Sequence, residues 1–299
     1  MTNHAGELLV PLDGSRLAEG VLPLVRALAT ALPAAVALLH VLERGAPSTV
    51  HGQPHLTTTA DAAAYLEGIA AALRRAGLTV TTHAHADPER DVAVSVAAHA
   101  DERDALLIAL SAHGRGGLRG LLFGRVAEQV ARRSRRPVLV ALEPFAESVT
   151  VRRLLLPVTP AGPAEPALGI ARRICLACRA ELVIGTIVPT RATVSGDSAP
   201  AAVLLPSAAA SLLDLAEEEA QAALERLSAE LTREGVPTSV AVQRGDPAHE
   251  LPRLIEATDP EIVVMATHAH AGLGGLLAGR VTSRVLAGTN RPLLLVPTT

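Results

Sequence analysis

The chain has 299 residues and a formal net charge of −3, and 49% of its residues are hydrophobic although only 1% are aromatic. This length fits two domains of ordinary size, whose cores must be built from aliphatic side chains. The small charge and the scarcity of aromatic rings argue against a nucleic-acid partner, and the complete absence of lysine excludes P-loop and Schiff-base enzymes.

The N-terminal residues lack the basic and then apolar layout of a signal peptide, and no run of 18 apolar residues occurs in the chain. We therefore expect a cytoplasmic protein without membrane partners.

In the first half, apolar runs of strand length alternate with segments of helical periodicity. The predicted strands are Glu7–Leu12, Ala34–Leu42, Leu78–His85, Ala105–Ser111 and Val138–Leu142. The predicted helices are Ser15–Ala31, Ala60–Ala76, Pro88–Ala100 and a segment that ends near Arg135. We expect Ser15 to cap the first helix and Asp87 to cap the third. The segment 44–59, rich in Pro, His and Thr, is predicted to be a loop.

The second half repeats this order. Its predicted strands are Arg153–Val158, Glu181–Val188, Thr238–Gln243, Glu261–Thr267 and Leu293–Val296. Its predicted helices are Ala164–Arg179, Ser211–Glu234, Ala248–Ala257 and Leu277–Ala287, and Pro189–Pro206 is predicted to be a mobile loop. Alternation of strands and helices with near-continuous apolar strands predicts an α/β fold, in which helices cover both faces of a parallel sheet.

The same segment occurs twice in the chain. Residues Gly117–Val126 return as Gly272–Val281, and 11 of the 22 positions from 116 to 137 match their counterparts 155 positions later. A repeat of this length is a whole domain rather than a solenoid unit. The sequence therefore predicts two domains, residues 1–143 and 152–299, joined by the linker Glu143–Val151.

A glycine-rich loop precedes a predicted helix in each copy. Unpaired backbone N–H groups and the positive end of a helix dipole can bind an anion there, although glycines also serve simply to allow a tight turn. In parallel sheets ligands sit beyond the carboxyl ends of the strands. Three features of the first half fall at that edge, namely Asp13 after the first strand, Val41 in the second and the glycine loop after the fourth.

These features resemble the universal stress protein family in its tandem two-domain form, over nearly all of both halves. The family pattern is glycine, two residues, glycine, nine residues and then Gly-Ser or Gly-Thr, with an aspartate after the first strand of nucleotide-binding members. In the first half Gly114, Gly124 and Asp13 match this pattern, whereas Ser111 replaces the first glycine and Arg125 replaces the Ser or Thr.

The resemblance implies two Rossmann-like (adenine nucleotide alpha hydrolase-like) domains, each a five-stranded parallel sheet with strand order 3-2-1-4-5. It also implies that the domains pair through their last strands as an intramolecular pseudo-dimer, to which further homo-oligomerisation can be added. It implies that the first domain binds ATP or AMP through a set of residues at the strand ends and in the glycine loop. These residues are Pro11, Asp13, Val41, Gly114, Arg115, Gly117, Gly124, Arg125 and Val126.

The second domain departs further from the pattern. Thr159 stands where Asp13 would be, and only Gly279 remains of the three glycines, so no nucleotide is expected there. The alternative for the whole protein is a scaffold or regulatory protein that binds no nucleotide and acts through protein partners. We recognise no catalytic constellation, and we therefore expect no enzymatic activity.

Arginine follows the last glycine of the motif in both copies, at Arg125 and Arg280. One interpretation is that the guanidinium binds a phosphate in place of the missing hydroxyl. The other is that it occupies the phosphate position or pairs with an acid.

No metal site is predicted from the sequence. His83 and His85 share one face of a strand, and His268 and His270 have the same spacing, but neither pair has a third ligand nearby in sequence. The C-x-x-C pair, Cys175 and Cys178, falls late in a helix, where core packing is expected rather than redox chemistry.

Overall fold

The computed structural model describes residues 6–112, 125–145, 148–159, 162–190, 193, 206–268 and 289–298. The chain divides into two compact units, the first comprising Met1–Val151 and Asn290–Pro297 and the second Arg152–Thr289 and Thr298–Thr299. The glycine-rich loop of each copy and the helix predicted at Leu277–Ala287 lie outside the described residues.

The first unit alternates strands and helices. Its strands are β1 (Glu7–Pro11), β2 (Ala35–Glu43), β3 (Thr49–Val50), β4 (Gln53–Pro54), β5 (Val80–Glu89), β6 (Leu107–Ser111) and β7 (Val138–Ala141). Its helices are α1 (Arg16–Glu19), α2 (Leu22–Ala31), α3 (Thr59–Arg75), α4 (Val92–Glu102) and α5 (Arg125–Arg133).

The main sheet of the first unit has the order β5-β2-β1-β6-β7, with every one of these neighbours parallel. This confirms the predicted order 3-2-1-4-5. Strand β2 lies inside the sheet, and Ala35–Leu42 are all buried because helices cover both faces. The aliphatic residues of β1 and α2 supply much of the remaining core, with Leu8, Leu24 and Leu28 fully buried.

Three details of the first unit differ from the sequence prediction. The helix predicted at Ser15–Ala31 is two helices. Pro23, in the first turn of α2, has no backbone N–H to donate and therefore cannot continue the preceding helix. The loop predicted at 44–59 contains the β3–β4 hairpin.

The third difference concerns the start of α4. The helix predicted from Pro88 begins instead at Val92, because β5 continues to Glu89. The N-cap is therefore Asp91, whose side chain accepts a hydrogen bond from Val94 N at 3.3 Å, and the prediction of Asp87 was wrong. The predicted cap Ser15 is confirmed, since its Oγ accepts from Ala18 N at 3.1 Å.

The second unit repeats this arrangement. Its strands are β8 (Arg153–Val158), β9 (Glu181–Val188), β10 (Thr238–Arg244) and β11 (Ile262–His268), in the parallel order β10-β9-β8-β11. Its described helices are α6 (Glu165–Cys178), α7 (Pro206–Arg233) and α8 (Pro247–Thr258). Helix α6 buries Cys175, and burial raises the pKa of this thiol to about 12. Neither cysteine is in a disulfide bond; Cys175 packs in the core as expected, whereas Cys178 is only partly buried.

The last strand of the chain, β12 (Leu293–Thr298), pairs antiparallel with β7. Leu293, Leu294 and Leu295 lie opposite Val140, Leu139 and Val138. All six side chains are buried, with at most 1% of each exposed. By its position in the repeat β12 is the fifth strand of the second copy, yet residues 293–297 belong with the first unit.

Candidate functional site

A cavity of about 310 Å³ opens at the carboxyl ends of β1, β2 and β6 in the first unit. Helices α4 and α5 supply an aliphatic wall, and the β3–β4 hairpin covers another side. The polar side chains of the lining are two carboxylates, one hydroxyl and three imidazoles, namely Asp13, Glu43, Ser111, His40, His51 and His55. An apolar cavity with a few polar groups is the usual form of a small-molecule site.

Asp13 is the acidic group in the turn after β1. Its Oδ1 accepts two hydrogen bonds from Ser15, one from the backbone N at 2.9 Å and one from Oγ at 2.6 Å. Ser15 in turn caps α1, so the carboxylate is held in place by the same residue that begins the helix. The second oxygen, Oδ2, lies 4.0 Å from Nε2 of His51, and about a third of the Asp13 side chain is exposed.

Two contacts hold the β3–β4 hairpin over the turn that follows β1. Gln53 Oε1 accepts a hydrogen bond from Arg16 N at 2.7 Å. Leu56 packs against Gly14, where a Cβ would lie 2.9 Å from the leucine side chain and where φ is +90°. Only glycine meets both conditions, so Gly14 allows the segment after the hairpin to close over the turn.

His40 lies in the floor of the cavity and was missed by the sequence analysis. It is 2% exposed, and its Nδ1–H donates to the Leu12 carbonyl at 2.7 Å. Burial lowers the pKa of His40, while the backbone groups of Leu12 and Leu56 act in the opposite direction. The neutral ring therefore presents Nε2 as an acceptor, and this buried atom has no hydrogen-bond partner in the described part of the chain. Its one signal in the sequence is that a histidine interrupts an otherwise apolar strand.

The structure brings four of the nine predicted site residues together around the cavity, namely Pro11, Asp13, Val41 and Val126. Arg125 is the first residue of α5, but its side chain is outside the described part of the chain. The remaining four, Gly114, Arg115, Gly117 and Gly124, also lie outside the described residues, and their role stays a prediction.

The corresponding region of the second unit is filled differently. Pro157 pairs with Gly185 as Pro11 pairs with Leu39, so the registers of the two units can be compared directly. A Cβ on Gly185 would lie 2.6 Å from Leu254 Cδ2, which shows that this leucine of α8 occupies the space above the strand. Thr159, at the position of Asp13, donates through Oγ1 to the Gly162 carbonyl at 3.4 Å and contributes no carboxylate.

In the described parts of the chain, no helix is both long enough and apolar enough to cross a membrane. The cellular compartment stays a prediction.

Comparison with known proteins gives relatives of both sequence and structure. The chain is 31% identical over 83 residues to universal stress protein MJ0531 and 30% identical over 79 residues to universal stress protein MJ0577, both of Methanocaldococcus jannaschii. These matches cover 28% and 26% of this chain, and it spans about half (49%) of the length of each curated relative.

Two solved structures cover nearly the whole chain. A universal stress protein from Archaeoglobus fulgidus aligns with a TM-score of 0.69 at 15% identity, covering 98% of this chain and 97% of that one. A protein of unknown function, PA1789 from Pseudomonas aeruginosa, aligns with a TM-score of 0.68 at 18% identity, covering 97% and 92%. At such identities these likenesses establish the fold.

The universal stress protein family model matches residues 6–141 and again residues 150–297. The two matched segments follow the two copies of the internal repeat and together cover most of the chain. The chain therefore belongs to the universal stress protein family, with two of its domains in tandem.

Proposed function

We propose that this protein is a nucleotide-responsive stress module that binds ATP or AMP in the cavity of its first unit. The observation that carries the proposal is that Pro11, Asp13, Val41 and Val126, picked from the sequence as nucleotide ligands, line one cavity at the carboxyl edge of the sheet. The proposal includes no catalytic step.

The dimensions and chemistry of the cavity fit an adenine nucleoside. Its volume of about 310 Å³ lies at the lower end of small-molecule sites. The aliphatic side chains of Val41, Val92 and Val96 offer an apolar surface for a flat base. The Asp13 carboxylate can accept hydrogen bonds from sugar hydroxyls, and its position is fixed by Ser15.

The phosphates would extend toward the start of α5. This helix begins at Arg125, and Val126 and Ala127 of its first turn line the cavity. The first-turn N–H groups of a helix and the positive end of its dipole favour a bound phosphate. The proposed nucleotide therefore runs from the ends of β1 and β2 to the N-terminus of α5.

Calorimetry with ATP and AMP tests the proposal, with Asp13→Asn and Thr159→Ala as a matched pair. Asparagine keeps an oxygen for the two hydrogen bonds from Ser15 but removes the charge. Hydrogen bonds to a charged group contribute about 1.5–3 kcal/mol, so we expect Asp13→Asn to weaken binding by roughly tenfold or more. Thr159→Ala, at the equivalent position of the second unit, should leave affinity unchanged.

A second candidate function is a scaffold that binds no nucleotide. The hairpin favours it, because His51 faces Asp13 and Leu56 covers Gly14, so that part of the mouth of the cavity is already occupied by the chain itself. No binding heat and no thermal shift of the wild-type protein with millimolar ATP would reject the nucleotide proposal and leave the scaffold.

Arg125→Ser distinguishes the two interpretations of the repeated arginine. The substitution restores the hydroxyl residue of the family pattern at the start of α5. A rise in ATP affinity would mean that the arginine occupies the phosphate position, whereas loss of affinity would mean that it binds the phosphate.

A further inference from the structure

Three histidines of the first unit meet away from the cavity described above. His83 and His85 lie two positions apart on β5, the edge strand of the sheet, and therefore share one face of it; His99 lies on α4. The ring centroids are 4.9 Å apart for His83 and His99, 5.3 Å for His85 and His99, and 6.3 Å for His83 and His85. We propose that this histidine cluster is a binding site for a divalent transition metal such as Zn²⁺.

The spacing of the rings suits such an ion. Zinc takes imidazole nitrogens at about 2.0–2.1 Å, and tetrahedral geometry then sets the centroids of three ligating rings about 5 Å apart. The three observed separations bracket this value. Two histidines two positions apart on a strand, with a third from a neighbouring element, give three nitrogen ligands and leave the fourth position for water or another group.

The surroundings of the cluster supply carboxylates as well. Glu102 Oε2 lies 3.5 Å from Nδ1 of His99, and Glu89 Oε1 lies 3.8 Å from Nε2 of His85. Histidines that bind metals commonly give their other ring nitrogen to a carboxylate, which fixes the ring and raises its basicity. The two glutamates can do this here, and their charges offset that of a divalent cation.

A ligating imidazole must be neutral, and the pKa shift of His99 favours that form. Burial lowers the pKa of His99, and the neighbouring His83, His85 and Arg103 lower it further, while Glu102 opposes them. Arg103 itself pairs with Glu7, at 2.6 Å between Nε and Oε1.

The rings do not yet surround a common point. In the described part of the chain no group of three His, Cys, Asp or Glu side chains could hold a metal ion with the side chains as they now stand. The rings now stand edge to face, with interplanar angles of 65–80°. His83 is exposed on the edge strand, and 23% of the His85 and 16% of the His99 side chain is exposed, so the rings can turn about their side-chain torsions toward a cation.

The second unit provides an internal comparison. Its β9–β10 register places Ala241 opposite Gly185 and Gln243 opposite Ile187, where the first unit has His83 opposite Leu39 and His85 opposite Val41. Counted from the helix caps Asp91 and Asp246, Leu254 stands at the position of His99. None of the three histidines has a counterpart, so the proposal assigns the metal to the first unit alone.

The test uses the full chain without an affinity tag and without nucleotide. Zn²⁺ is titrated by calorimetry, and Co²⁺ is followed by its visible absorption, which reports nitrogen coordination. We expect one equivalent of Zn²⁺ to bind the wild-type protein and the control His249→Gln, which changes an exposed residue of α8. This binding should be lost in His83→Gln and His99→Gln. Glu102→Gln should lower the affinity by about 10- to 100-fold.

Binding with unchanged stoichiometry and affinity in both His83→Gln and His99→Gln would overturn the proposal, as would no Zn²⁺ binding by the wild type. If His99→Gln does not fold by circular dichroism, His83→Gln alone decides, because His83 is exposed and does not support the core. The nucleotide calorimetry is separate, since Asp13→Asn leaves the histidine cluster intact.

Discussion

The two units share one framework and differ in the side chains they place on it. Pro11 and Pro157 hold equivalent registers against β2 and β9, and an aspartate caps the equivalent helices α4 and α8. On this common framework every histidine of the cavity floor and of the histidine cluster is replaced in the second unit. His40, His83, His85 and His99 become Thr186, Ala241, Gln243 and Leu254.

This difference separates the contacts that stabilise the fold in both units from the groups that only the first unit offers to a ligand. Thr186 Oγ1 donates to the Val158 carbonyl at 2.9 Å, as His40 Nδ1 donates to the Leu12 carbonyl at 2.7 Å. The hydrogen bond to that carbonyl is therefore structural and survives the change of residue. What the second unit lacks is the second ring nitrogen of His40, which is buried without a hydrogen-bond partner in the described part of the chain, and the carboxylate of Asp13.

The largest effect on stability is expected from changing side-chain size at two equivalent strand positions, Leu39 in the first unit and Gly185 in the second. Leu39 is 1% exposed, and Leu39→Ala should destabilise the protein by about 2–5 kcal/mol through lost burial and a cavity. Gly185→Ala brings a Cβ within 2.6 Å of Leu254 Cδ2, and overpacking should cost about 1–3 kcal/mol. Urea unfolding followed by circular dichroism measures both, since the chain has no tryptophan.

The double variant Gly185→Ala with Leu254→Ala is the control for the second substitution. If Gly185→Ala lowers the free energy of unfolding equally in the Leu254→Ala background and in the wild type, the clash with Leu254 does not cause the destabilisation.

A smaller effect is expected at the two equivalent helix caps. Asp91 accepts from Val94 N at 3.3 Å, and Asp246 accepts from Ala248 N at 3.0 Å. Each Asp→Ala substitution should lower the free energy of unfolding by about 0.5–2 kcal/mol in the same urea experiment, whereas each Asp→Asn substitution should keep most of the wild-type stability. Asp91 also pairs with Arg133 at 3.0 Å, so a failure of Asn to restore stability there would mean that the ion pair matters more than the cap.

The smallest effect concerns acid stability. Burial lowers the pKa of His40 below its ordinary value of 6.5, so folding favours the neutral ring. His40 therefore binds a proton more readily in the unfolded chain than in the folded protein. Its contribution to the free energy of unfolding is fully present above pH 6.5 and is lost as the pH falls through the folded pKa. His40→Thr, which installs the residue of the second unit, should reduce the loss of melting temperature between about pH 7 and pH 5.

Some pH dependence should remain in His40→Thr, because His99 has a lowered pKa as well and is unchanged. His55 and Asp13 also face His40 and act on its pKa in opposite directions. Thr186→Val, the matched substitution in the second unit, should leave the pH profile as it is in the wild type. An equal pH profile in the wild type and His40→Thr would contradict the assignment to His40.

The strands of the first sheet could be predicted because their signals are local, whereas their order was predicted from the family resemblance. The apolar run Ala34–Leu42 identifies β2, and Ser15 identifies the start of α1. The aspartate and the strand-end residues of the cavity could also be found, since parallel strands place their carboxyl ends at one edge.

The remaining features depend on contacts between residues distant in sequence. The β3–β4 hairpin has only two residues in each strand and no apolar alternation, and it is held by Gln53 on Arg16 and by Leu56 on Gly14. His99 joins His83 and His85 only because α4 packs near β5, which no spacing along the chain reveals.

The pairing of β12 with β7 has a consequence during protein synthesis. Strand β7 is complete at Ala141, but its partner begins at Leu293, so the ribosome must add roughly 150 residues in between. At about 5–20 residues per second, the growing polypeptide carries a bare sheet edge for roughly 8–30 seconds. Unpaired edges invite intermolecular pairing, so the edge of β7 is a place where nascent chains can pair with one another until the last strand emerges.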